Sequence, residues 1–166
     1  MKPWNRFFLP TLLAFALPAA LLAQSSGDSA RGTDLAIGTW VLNVAKSTFN
    51  PGPAPQSETR TYEITPEGMH HLTVHQIAAD GTAINETSTY KLDGKPYNFT
   101  GSSQIDSVAP TRHSANEIRV TESRQGKIIG HYTRVVSKGG RTMTATNTFR
   151  RLDGKTEHDV QVYDRQ

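Results

Sequence analysis

The sequence predicts an all-β domain, built as an antiparallel up-and-down β-barrel of eight to ten strands. Three observations predict it. From Ile37 onward, valine, isoleucine, threonine and tyrosine recur in short runs that alternate apolar with polar residues. Turn dipeptides separate those runs at short intervals. Few residues fall into helical periodicity. The chain has 166 residues, the length of one domain able to bury a sizeable core.

The first 23 residues differ from the rest. Lys2 and Arg6 give a positive start, and Phe7 to Leu22 is apolar apart from Thr11. Small residues Ala19, Ala20 and Ala23 follow, and then polar Gln24-Ser25-Ser26-Gly27. This is the order of a secretory signal peptide, predicted over 1–23 with cleavage after Ala23. A membrane span needs roughly 20 continuous apolar residues, and Pro10 and Pro18 interrupt this stretch. The expectation is an exported protein, periplasmic or secreted, with no membrane span after leader cleavage. Removing Lys2 and Arg6 takes two from the 18 basic residues against 15 acidic, so the remaining net charge is near +1. No clustered basic face is visible, which argues against a nucleic-acid partner. There is no cysteine, so neither a disulfide nor a lipidated cysteine is available.

Residues 24–35 are small and polar and read as a flexible N-terminal segment. The barrel domain is expected over 36–166. Strands are predicted at 37–43, 57–65, 69–78, 82–91, 95–100, 115–124, 127–137, 141–150 and 156–165. The turns between them include Pro66-Glu67-Gly68, Asp80-Gly81, Asp93-Gly94, Gln125-Gly126, Gly139-Gly140 and Asp153-Gly154. Two stretches break the rhythm. Asn50-Pro51-Gly52-Pro53-Ala54-Pro55 is a stiff loop, because proline fixes φ and removes donors. Residues 101–114 are polar and irregular and read as a long crossing loop. Consecutive hairpins of this number normally close, which removes exposed edges.

Gly38-Thr39-Trp40 opens the first strand. It resembles the Gly-x-Trp start of the calycins, the lipocalins and fatty-acid-binding proteins, whose tryptophan plugs the closed end of the barrel. The resemblance implies a structural cap made by Gly38 and Trp40, with Arg165 placed to stack on Trp40. The last strand, Val160 to Arg165, and Thr133-Arg134-Val135-Val136 look like the final strands of fatty-acid-binding proteins. There an inward arginine holds the ligand carboxylate. The longer run Gly38 to Phe49, with the Pro-Gly-Pro-Ala-Pro that follows, resembles an uncharacterised family of exported bacterial lipocalin-like proteins. Two features depart from the fatty-acid-binding pattern. Only about 15 residues, three of them proline, separate the first two strands, too few for a helix-pair lid. Gln161 stands where that family has a second anchoring arginine.

Arg134 shares a strand face with Ile128, Tyr132 and Val136 by alternation. If that face points inward, the guanidinium needs a partner, and its planar fork suits a carboxylate. One reading makes Arg134 a ligand anchor, with Tyr132, Gln161 and Tyr163 nearby. The other gives it an internal partner such as Glu122 or Glu86, or an outward position. Thr142, Thr144, Thr146 and Thr148 are read as an exposed strand face. The six histidines do not predict a metal site: His71 and His75, four apart in a strand, lie about 13 Å apart. No nucleophile elbow, zinc-protease motif or phosphate loop occurs, so no catalytic residue and no cofactor is predicted. The expected function is binding of a small hydrophobic or amphipathic ligand inside the barrel. The alternative is a packed interaction module of the cell envelope without an internal ligand. The oligomeric state is not legible.

Overall fold

The computed structural model describes Met1 and residues 34–166. The leader expected over 1–23, apart from Met1, and all of the segment 24–35 except Asp34 and Leu35 lie outside the described residues. Residues 34–166 form ten strands in a single antiparallel sheet. In order these are β1 (Gly38–Leu42), β2 (Ser57–Ile64), β3 (His70–Ile77), β4 (Ala83–Tyr90), β5 (Tyr97–Asn98), β6 (Ser107–Arg112), β7 (Glu117–Arg124), β8 (Lys127–Val136), β9 (Thr142–Arg150) and β10 (Thr156–Arg165). Apart from β4 and β5, each strand pairs with its neighbour in sequence, and β1 pairs with β10, so the meander curls into a barrel with β4 and β5 at the two ends of the sheet order. Between β4 and β5 closure rests on the bridge Thr87↔Thr100, with two hydrogen bonds of 3.0 Å. The barrel is therefore nearly closed, in the expected class.

Period-two alternation aims one face of every strand inward. Trp40, Leu42, Tyr62, Leu72, Val136, Met143 and Ala145 are buried and form the apolar core. Burying a side chain the size of Met143 contributes roughly 1.5–3 kcal/mol. On β9 the threonines face outward while Met143, Ala145, Asn147 and Phe149 face in, as their alternation predicts. The Gln125-Gly126 turn is a two-residue hairpin with both φ values positive, 48° and 73°, the geometry that matches sheet twist. Between β1 and β2 stands only a 3-10 turn, Val44–Lys46, so the lid helices of fatty-acid-binding proteins are absent.

Three local expectations are corrected. Residues 107–112 are not loop but strand β6, paired with β7 from Ser107↔Ser123 to Arg112↔Ile118. Pro110 masked it in the sequence. Its carbonyl accepts from Gly94 N–H at 2.8 Å, on the side away from β7, so its missing donor interrupts no bond of the β6–β7 ladder. The strand read over 95–100 shrinks to Tyr97–Asn98. Ile128 does not share the face of Arg134. A register shift opposite Glu122/Ser123 makes Ile129 the extra residue of a β-bulge, and Ile128 turns out to 67% exposure.

One end of the barrel is sealed. Trp40 is wholly buried there, and its indole N–H donates to the Ala36 carbonyl at 2.7 Å. The Arg165 guanidinium lies 4.2 Å from the Trp40 ring centre. It also donates to the carbonyls of Gly140 at 2.6 Å and Ile37 at 2.7 Å, and to that of Leu35. Gly38 sits beneath this guanidinium with φ +125°, and a Cβ there would meet Arg165 Nη1 at 2.8 Å. Glycine is thus required twice, by conformation and by space.

Candidate ligand-binding site

The opposite half of the barrel is hollow. A cavity of about 740 Å³ runs inward from the end rimmed by Pro53 and Pro55, the 78–82 turn and the 101–105 loop. Its apolar wall includes Phe99, Ile105, Val108 and Phe149. Its polar wall is made by inward positions of the strands: Glu58 and Arg60 on β2, Glu86 on β4, Glu122 on β7, Asn147 on β9, and Glu157 and Asp159 on β10. These residues alternate with outward neighbours, so the pleat that builds the core also builds the site. Each stands in phase with an apolar core residue of its own strand, as Glu122 does with Ile118 and Val120.

Arg134, Tyr132 and Gln161 all line this cavity. Arg134 is 2% exposed and already partnered: its Nη2 donates to Asp34 Oδ2. Its guanidinium lies 4.4 Å from the Tyr62 ring centre. Burial by itself would raise the Asp34 carboxyl. His70, with Nε2 at 3.4 Å, and the Arg134 charge outweigh that and hold Asp34 well below the ordinary carboxylate range. His70 in turn stacks on Tyr90 at 5.6 Å. The internal partner of Arg134 is therefore Asp34, a residue of the segment read as flexible, and neither Glu122 nor Glu86.

The second interior guanidinium, Arg60, was not singled out by sequence reasoning, although its alternation with Tyr62 places both on one face. It donates to Glu58 Oε1 at 2.5 Å and to the Tyr132 hydroxyl at 3.0 Å. Its guanidinium lies over the Tyr132 and Tyr163 rings at 5.4 and 5.3 Å. Gln76 donates to the other oxygen of Glu58 at 3.1 Å. Tyr163 does not line the cavity. It is fully buried behind the wall, and its hydroxyl donates to Glu58 at 2.7 Å and to Gln161 at 3.2 Å. Residues from β2, β3, β8 and β10 are thereby tied into one network across the barrel.

The remaining carboxylates are less well served. Glu157 accepts from Arg151 at 3.2 Å, and Asp159 accepts the Asn50 backbone N–H at 3.0 Å. Burial and the neighbouring Asp159 push Glu157 up to about 7, against Arg151. Glu122 is 5% exposed, and its Oε2 has no hydrogen-bond partner among the described residues. Burial, then the charges of Glu86 and Glu157, push it up to about 7 against the pull of Arg60. Burial likewise raises Glu86, and Arg60 offsets part of that. Asn147 Oδ1 is also buried without a partner among the described residues. Of the histidines, His71, His75 and His158 bond to Thr89, Asn85 and Thr148 on the outer face. Among the described residues no three His, Cys, Asp or Glu side chains gather in a metal-binding arrangement.

The class defined by these observations is an up-and-down β-barrel with an internal cavity open at one end. No protein-family model matches the chain. No curated protein matches it either. Among solved structures it is similar to the zebrafish ileal bile acid-binding protein complexed with cholic acid, with a TM-score of 0.48 and 13% identity over 80% of this chain and 100% of that one. It is also similar to Rv2717c from M. tuberculosis, with a TM-score of 0.49 and 15% identity over 80% and 93% of the two chains.

Proposed function

We propose that this protein is an exported binding protein that holds one small amphipathic molecule inside its barrel. The observation that carries the proposal is the cavity itself. Its volume, about 740 Å³, lies in the range of small-molecule sites. A barrel serving only as a packed module would gain stability by filling this space with side chains. Here it is walled by apolar residues on one part and by buried polar atoms on another, a division that suits a ligand with an apolar body and a polar head. The rim of residues 50–55, 78–82 and 101–105 is the route in, since Trp40 and Arg165 seal the other end. The leader-like pattern of residues 1–23 supports periplasmic or secreted localisation. The likeness of the Gly38 to Phe49 run to exported lipocalin-like proteins points the same way. Arg134 and Gln161 would shape the inner end of the site, with Tyr132 presenting its ring to the ligand.

Native mass spectrometry of the chain purified from its own host tests this. The expected result is an added mass that is held in the folded state and released on gentle denaturation. An apo mass in every preparation, together with no uptake of the uncharged dye Nile red by the folded protein, would overturn the reading.

A further inference from the structure

Counting charges around the cavity leaves a remainder. Three guanidinium groups reach it, and each has a carboxylate: Arg60 has Glu58, Arg151 has Glu157, and Arg134 has Asp34. Asp159 receives a backbone N–H. Glu86 and Glu122 make no ion pair among the described residues. Glu122 is more than nine-tenths buried, lines the cavity, and leaves one oxygen bare. Its sheet neighbours, Val108 and Gly130, bring no donor side chain to it. Asn147 Oδ1, of a residue that also lines the cavity, is a second buried acceptor without a partner among the described residues. Among the described residues neither Glu122 Oε2 nor Asn147 Oδ1 has a donor, and Glu122 has no bonded cation.

We infer that the head group of the ligand is a cation of the alkylammonium type, seated by Glu122 with Asn147 and Glu86 while its apolar body lies along Phe149, Val108 and Ile105. This rests on the binding function proposed above and sets its substrate class. A carboxylate ligand would meet two carboxylates that have no ion pair among the described residues, and both guanidinium groups of the inner cavity already have a carboxylate partner. An ammonium carries three donors, enough for both Glu122 Oε2 and Asn147 Oδ1. The groups facing Glu122 are Arg60 from β2, Glu86 from β4 and Glu157 from β10. Two of the three are acidic, so an arriving cation favours the ionised form of Glu122 and releases its proton. Cation affinity should therefore increase as pH rises through about 7.

The test is isothermal titration calorimetry of the protein with three probes of equal chain length: octylammonium, 1-octanol and octanoate. At about pH 8, where Glu122 is largely ionised, octylammonium should bind at least tenfold more tightly than octanoate and more tightly than octanol. Glu122→Gln should abolish that preference, and Glu86→Gln should reduce it. Octanol or octanoate binding as well as octylammonium would overturn the cation assignment and leave the binding function standing. Failure of all three probes to bind would count against both. The preference in the unmodified protein decides the matter even if a variant does not fold.

Discussion

At the closed end of the barrel Arg134 meets Asp34, which His70 also approaches, and the face of Tyr62, whereas in the open half Glu122 is similarly buried and its Oε2 meets no donor among the described residues. Both ends bring charge out of water, at a cost of several kcal/mol per ion. At the closed end the cost is offset within the fold. In the open half it is not, and the fold would be more stable without it. The difference separates two uses of buried charge. Paired groups fix the architecture, and the unpaired group is where the proposed ligand would complete the interaction.

The largest expected effect tests the closed end. Asp34→Asn leaves the Arg134 charge buried without its counter-ion and should lower stability by about 3–5 kcal/mol. Urea unfolding would show this as a lower midpoint. Replacing both, as Asp34→Leu with Arg134→Met, should recover most of the loss. If the double variant is no better than the single one, the pair is not the reason for the loss. Gly38→Ala forces a Cβ against Arg165 at a positive φ and should cost about 2 kcal/mol. A thermal melt with an unchanged midpoint would show that the seal tolerates a side chain. Tyr132→Phe removes one acceptor from Arg60 and should cost about 1 kcal/mol while leaving the ring in the cavity wall. Ile128→Ser lies outside the barrel beyond the bulge and should change stability by about 0.5 kcal/mol or less. A larger loss would mean that Ile128 packs inward.

Much of the fold is legible in the sequence because turns and alternation are local. Asp80-Gly81, Asp93-Gly94 and Asp153-Gly154 fix turns in which strand directions reverse. Tyr62, Leu72, Val74, Ile118 and Val120 reveal their inward face by spacing alone. Strand β6 was hidden because Pro110 contradicts a strand unless its nitrogen faces away from the partner, which only the register decides. The bulge that turns Ile128 outward is hidden for the same reason. The site is less legible than the fold. Arg134 stands out as a buried cation, but its partner Asp34 comes from the polar stretch before β1, where no periodicity points inward. Parity alone places Glu122 and Arg60 on inward faces, since Glu122 continues the face of Ile118 and Val120, and Arg60 that of Tyr62; in the sequence Glu122 enters only as a candidate partner for Arg134. What parity cannot show is which inward charges find partners, because those partners lie on strands across the barrel.

If Glu122 is held in the open half at the expense of folding, the cost must show in the pH dependence of stability. A carboxyl raised from its ordinary value to about 7 binds its proton more tightly in the folded state. Stability should therefore rise as pH falls from about 8 towards 5.5, by on the order of 2 kcal/mol for Glu122. Glu86 and Glu157, also raised, act in the same direction. Asp34 is shifted the other way, so its contribution is lost only in stronger acid, below the ordinary carboxylate range. Thermal unfolding of the wild type and of Glu122→Gln across this range is the measurement. The wild-type midpoint should climb on acidification, Glu122→Gln should be at least as stable as the wild type at about pH 8, and its dependence on pH should be flatter. A wild type that loses stability over the same interval, or a Glu122→Gln variant that unfolds several degrees earlier at about pH 8, would mean that Glu122 carries no such cost.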